Sequence, residues 1–205
     1  MTKEPDSRDG GVVKVDQVRN IFKGFSRLDE VTVSYESLSG ATKTVKRLVV
    51  DHGAGVGVLP VDEARKTVLL VRQLRVPAHL SGANGFVVEV CAGLCDDTDT
   101  DPLDTAQREA REELGYELRD LRLVLQMIST PGILTERLHL YLAAYDPSDQ
   151  ISDGGGLDHE GEDIEVLEWS LDQAWQHVVA NGLGDGKTII LLQALRLEKP
   201  HLFDR

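Results

Sequence analysis

A helix that is bounded at both ends and lies between runs of strand-like alternation does most to limit what this chain can become. In "DPLDTAQREAREELGY", Asp101 is a good N-cap, Pro102 suits the first helical position and Gly115 stands where a left-handed residue ends a helix, so the spacing predicts a helix over 102–114. At about 100° per residue, Leu103, Ala106, Ala110 and Leu114 form one narrow apolar stripe. A stripe that narrow covers one patch of one other layer, and the layer on offer is a sheet. "VGVLPV", "TVLLVRQLRV" and "GFVVEVCAG" read as strands before the helix; "LRLVLQMI", "RLHLYLAAY" and "IEVLEW" follow it. Two further helices are expected, one over about 171–180 with Ser170 as cap and Gly182 as stop, the other from about 187 after Asp185-Gly186. Strands and helices in this order predict an α/β or α+β sandwich, a sheet with helices on its faces.

The chain divides unevenly. Residues 1–11 are polar and end in Gly-Gly, which reads as a loose tail. Residues 12–56 alternate as two or three strands with no helix, too little to bury a core alone, so they are expected to lean on residues 57–205, on a second copy, or on both. With 35 acidic against 22 basic residues, the formal charge of −13 argues against a broad nucleic-acid surface or attachment to an anionic membrane. No segment resembles a signal peptide or a membrane span, and a cytoplasmic protein is expected. Cys91 and Cys95 have no second pair to complete a zinc site; a reduced, packing role is expected for both.

The helix carries a conflict. Glu109, Glu112 and Glu113 share one face near its C-terminal end, where the helix dipole favours cations. Hard carboxylate ligands around Mg²⁺ explain the placement, and Mg²⁺ brings phosphate oxygens with it. At these residues "AGLCDDTDTDPLDTAQREAREELGY" resembles the Nudix box. Gly93, Arg108, Glu109, Ala110, Glu112, Glu113, Gly115 and Tyr116 match its pattern, while the first half is one residue longer and Asp99 or Asp101 must stand for its acid.

The resemblance implies a Nudix α/β/α sandwich with a small N-terminal antiparallel sheet, and hydrolysis of a nucleoside diphosphate linked to another moiety. It implies Glu109 and Glu113 as ligands of Mg²⁺, for which Mn²⁺ can substitute, Glu112 as a direct or water-mediated ligand with Arg108 beside it in the catalytic box, and the Ala92 carbonyl as a further ligand. "STPGILTER", "VRQLR", "GGGLDHEGEDIEVLEW" and "DGKTIILLQAL" are similar to stretches of the nucleotide-sugar branch, which holds the ADP-ribose pyrophosphatases and, closer in look, the GDP-mannose hydrolases. By that analogy Glu160 is the base that takes a proton from water, Glu136 competes for the role, and Glu162 is a supporting acid or extra metal ligand. Arg72 and Arg75 alternate across a strand, so one of them reaches the diphosphate; the analogy favours Arg72. Lys187 is expected at the substrate. Phe25 and Arg47 are expected at the base of the nucleotide, in an N-terminal sheet that joins two copies as a homodimer. The implied substrate is a nucleotide sugar, cut to a nucleoside monophosphate and a sugar phosphate.

Overall fold

A computed structural model describes residues 12–96, 99, 101–157, 161–180 and 184–203. The chain forms two compact units: the part up to Gly53 with Ile128–Glu136, and Ala54–Met127 with Arg137–Arg205. The expected limits of 12–56 and 57–205 leave out the nine-residue return of 128–136.

In the smaller unit, β1 (Lys14–Lys23), β2 (Arg27–Glu36) and β3 (Thr42–Asp51) make an antiparallel sheet in the order β1-β2-β3. Every residue of β1 is exposed, and among the described residues Val15, Val18, Phe22 and, just past the strand, Phe25 keep more than half of their surface open. The 128–136 segment joins through its backbone: Val50 donates to the Ile133 carbonyl at 2.8 Å and Thr135 to the Val50 carbonyl at 3.0 Å.

The larger unit holds β4 (Ala54–Asp62), β5 (Thr67–Leu74), a short helix α1 (Val76–Leu80), β6 (Phe86–Glu89), β7 (Cys91–Leu94), helix α2 (Pro102–Glu109), β8 (Arg119–Ile128), β9 (Arg137–Ala144), β10 (Glu165–Ser170), α3 (Leu171–Ala180) and α4 (Gly186–Glu198). Its sheet runs β10-β5-β4-β9-β8, with β4 and β9 parallel. β4 and β5 pair only at the hairpin end, Val61 with Val68 and Asp62 with Thr67, and then diverge. β6 takes up the free edge of β5 and β7 that of β4, so the run "GFVVEVCAG" is two strands broken at Val90 rather than one.

Side-chain parity sorts two cores. Val68, Leu70, Leu138, Leu140 and Leu142 face α3 and α4, where Leu171, Leu191, Leu192 and Leu195 are buried. Leu69, Val71, Val56, Val58 and Tyr141 face the other way, under Ala106, Ala110 and Leu114. Burial on both faces is why these strands read as continuous apolar runs. Helices thus cover both faces of a mixed sheet, the expected sandwich. Ser170 caps α3, its hydroxyl accepting from Gln173 N–H at 3.1 Å, while the expected stop Gly182 lies outside the described residues. Among the described residues no helix is long and apolar enough to cross a membrane.

Candidate active site

Helix α2 starts as its sequence dictates: Pro102 opens it and the Asp101 side chain accepts from Leu103 N–H. Its end differs from an ordinary α-helix, because Ala110–Leu114 form a π-helical turn closed by Gly115 at φ 76°. The widened turn brings the acidic residues round together. Its last carbonyls find partners in the glycine run, with Gly155 N–H donating to Glu113 O at 2.9 Å and Gly156 N–H to Glu112 O at 3.1 Å. A Cβ on Gly154, at φ 67°, would lie 2.5 Å from Glu113 O, and one on Gly115 would lie 2.2 Å from Ser152 O. These glycines let loop and helix end touch backbone to backbone.

Glu113 is 1% exposed and accepts from Ala92 N–H at 3.0 Å, with the Cys91 thiol as a second donor. Burial pushes its pKa up to about 8, and the charges of Glu109 and Glu162 add to the rise. Glu109 is 8% exposed and raised to about 7, again chiefly by burial, with Arg108 pulling it down and Glu112 and Glu162 pushing it up. Gly93 makes room for it, since a Cβ there would fall 2.0 Å from the Glu109 carboxyl carbon.

Arg108 binds the box together. It donates to Glu109 Oε1 at 2.8 Å, Glu112 Oε2 at 3.1 Å, the Leu94 carbonyl at 3.2 Å and Asp99 Oδ2 at 3.2 Å. Asp99 also accepts from Thr105 Oγ1 at 2.8 Å. Between the two acids that could fill the extended half of the box, the structure therefore puts Asp99 on Arg108 and uses Asp101 as a helix cap. Glu162 is half-buried and folded back on its own loop, accepting from Leu157 N–H at 3.0 Å.

Among the described residues no three His, Cys, Asp or Glu side chains are already drawn in around one metal position. Arg108 bridges Glu109 and Glu112, and burial favours the protonated forms of Glu109 and Glu113. The donor set nevertheless fits a hard divalent cation: all oxygen, with the Gly93 cleft holding Glu109 against the backbone.

A second charged cluster borders this one. Glu89, 3% exposed at its side chain, accepts from Arg75 Nε at 2.6 Å and from Lys187 Nζ at 3.0 Å. Lys187 Nζ also donates to Asp185 Oδ1 at 2.8 Å, and Asp185 caps α4 through Thr188 N–H. Burial pulls both cations' pKa values down, but the carboxylates around them, Glu89 first with Glu113 and Asp185 for Arg75, and Glu89 with Asp185 for Lys187, outweigh it, so both stay above their ordinary values. Arg75 is near enough to Glu113 to feel its charge. A cavity of about 610 Å³ opens here, lined by Arg75, Glu89, Asp185 and Lys187 with Ser81, Asn84 and Phe86.

The expected residues therefore divide. Ala92, Arg108, Glu109, Glu112, Glu113 and Glu162 come together, with Lys187 in the neighbouring cluster. Arg72 does not join them: it pairs with Glu165 at 2.6 Å, and its register partner Val88 belongs to the α3 and α4 face. β5 ends at Leu74, so strict alternation stops there and Arg75 turns toward the carboxylates instead. Glu89 was not singled out in the sequence, although a lone acid inside the apolar run "GFVVEVCAG" is a signal of a buried charge. Glu160 lies outside the described residues. Phe25, Arg47 and Glu136 belong to the smaller unit: Phe25 packs edge-on against His52 at 5.0 Å, Arg47 is exposed and donates to Lys46 O, and the Glu136 carbonyl accepts from Ser129 N–H.

Comparison with protein families matches residues 51–187 to the NUDIX domain. GDP-mannose pyrophosphatases of Salmonella paratyphi B and of Escherichia coli O1:K1 are 38% and 37% identical to this chain over 178 residues, which is 86% of this chain and 90% of each relative. A crystal structure of an ADP compounds hydrolase superposes with a TM-score of 0.71 over 95% of this chain and 98% of that one, at 16% identity, which shows the shared fold.

Proposed function

From the premise that the chain belongs to the NUDIX family and is a Nudix pyrophosphohydrolase, we propose that it hydrolyses the diphosphate of nucleotide sugars, GDP-mannose first among them, with Mg²⁺ and with Mn²⁺ as a substitute. Water adds to one phosphorus, the bond to the bridging oxygen breaks, and a nucleoside monophosphate and a sugar 1-phosphate leave; both protons of the water are released where the two products are dianions. The observation that carries the reading is the buried pair Glu109 and Glu113, two acids held 8% and 1% exposed beside a cavity with two cations. The names of the relatives supply the sugar nucleotide.

Glu109 and Glu113 would hold the ion, with Glu112 as a direct or water-mediated ligand and the Ala92 carbonyl and Glu162 as further donors; bound there it would neutralise phosphate charge and acidify water. Arg108 keeps Glu109 and Glu112 in place. Arg75 and Lys187 donate to phosphate oxygens from the cavity side. Glu160 takes the proton from water, with Glu136 as its competitor for that role. Phe25 and Arg47 take the nucleotide base, and the uncovered apolar side chains of β1 suit pairing with a second copy.

Phosphate release from GDP-mannose, GDP-glucose, ADP-ribose and ADP-glucose, coupled to a phosphatase with Mg²⁺ or EDTA, tests the proposal. Mg²⁺-dependent turnover that favours GDP-mannose is the expected result. Preference for ADP-ribose would overturn the substrate, and tight binding without turnover of any would overturn the enzyme in favour of a nucleotide sensor.

A further inference from the structure

We propose that Glu89 is a positioning residue, whose buried carboxylate sets the Arg75 guanidinium and the Lys187 ammonium side by side and turns both toward one diphosphate. The inference rests on the reading of the site given above.

Glu89 uses one oxygen for each cation, Oε1 for Arg75 and Oε2 for Lys187. It takes Arg75 by Nε, the inner nitrogen. Among the described residues the hydrogen bond given for its guanidinium is the one from Nε, so Nη1 and Nη2 are not taken up by Glu89, and the side chain is 41% exposed. A fork left open with the stem pinned is arranged for a bidentate oxyanion. Arg72 shows the opposite use: its Nη2 is spent on Glu165. Lys187 has three donor hydrogens, of which Glu89 and Asp185 take two. The cluster therefore offers a set of unspent donors at the cavity wall.

Fold stability does not require this arrangement. Glu89 stands opposite Val71 in the register, on a face where Val71, Leu69 and Cys91 are apolar. A buried ion pair at such a place is often no more stable than a well-packed apolar side chain. What an apolar residue cannot do is fix two cations at one spacing. The far end is anchored as well: Asp185 holds Thr188, whose hydroxyl accepts from Val90 N–H at 2.9 Å, one residue beyond Glu89. Strand break and helix start are thus locked to the same pair of cations.

The test measures binding of pyrophosphate with Mg²⁺ by calorimetry, alongside kcat and KM on the preferred nucleotide sugar, for wild type, Glu89→Gln and Glu89→Asp. A shift of the cations by about 1 Å costs on the order of 10- to 100-fold, so both variants are expected to lose that factor in pyrophosphate affinity and in KM, with kcat changed less. In an Arg75→Ala, Lys187→Met background, Glu89→Gln is then expected to add less than about twofold. Glu89→Asp keeps the charge and tests the same point if Glu89→Gln does not fold. Wild-type affinity and KM in a folded Glu89→Asp, or full additivity with the double background, would overturn the proposal. So would failure of the wild type to bind pyrophosphate. Absence of turnover on every nucleotide sugar would instead overturn the proposed function, and the pyrophosphate measurement would still decide the role of Glu89.

Discussion

The two faces of the larger sheet are built from opposite materials. Toward α3 and α4, Leu171, Leu191, Leu192 and Leu195 are at most 2% exposed, and polar groups enter at the start of α4, with Lys187 and Thr188. Toward α2, Ala106, Ala110 and Leu114 are as deeply buried, yet Glu109 and Glu113 are buried among them. Transfer of apolar surface from water favours the first face unconditionally, while desolvation of two carboxylates works against the second unless a proton or a cation joins them. The difference teaches that one face is built for stability, while the other buries two carboxylates at some cost to it.

The largest expected effect on stability breaks the first face. Leu191→Ala should remove about 3 kcal/mol of stability by leaving a cavity, read as a lower denaturation midpoint, while kcat per folded molecule stays within about twofold of wild type. Next come the two arginines, which lie on opposite sides of the comparison. Loss of the two charge-assisted hydrogen bonds of the Arg75 fork should lower kcat/KM by about 100-fold in Arg75→Ala. Arg72→Ala removes only a half-exposed ion pair, and its kcat/KM should change by less than about threefold. Steady-state kinetics of the pair would erase the distinction between the faces if the two losses were equal.

Gly154→Ala sharpens the account of the helix end. The substitution puts a Cβ 2.5 Å from Glu113 O at φ 67° and should cost about 2 kcal/mol in chemical denaturation. Gly161→Ala has a similar φ of 74° with nothing within 4 Å among the described residues, so it should cost about 1 kcal/mol.

The smallest effect is in pH. Glu109 and Glu113 are raised from 4.5 to about 7 and about 8, so the metal-free folded chain keeps protons that the unfolded chain has lost. The stability they contribute is full below pH 4.5 and is lost as pH rises through 7 to 8. The melting temperature of the metal-free protein should therefore carry a falling contribution across that window. Saturating Mg²⁺ should flatten it and, at pH 7, release about one to two protons on binding.

Much of the carboxylate face was legible because its signals are local. Asp101-Pro102 and Gly115 mark the ends of the helix, and acids near its C-terminal end contradict local stability strongly enough to announce another purpose. The strands were legible too, since burial on both faces leaves plain apolar runs. What escaped depends on partners distant in sequence. The glycine contacts to Glu112 and Glu113 at the π-helical turn need residues 152–156, which lie far along the chain, to be laid against the helix end. That Arg75 pairs with Glu89 and Arg72 with Glu165 turns on where β5 stops, and alternation alone carries the strand past Leu74. Glu89 is one acid in an apolar run until Arg75 and Lys187 are brought to it from either side.

The central claim is that the second face buries its carboxylates for a cation and a diphosphate. Turnover by Glu113→Gln, at saturating Mg²⁺ and nucleotide sugar and with folding checked by its melting curve, tests it most directly. Removing a metal ligand should lower kcat by about a thousandfold or more, while the metal-free melting temperature stays equal to or above that of the wild type. A folded Glu113→Gln protein that turns over at near the wild-type rate would contradict the account.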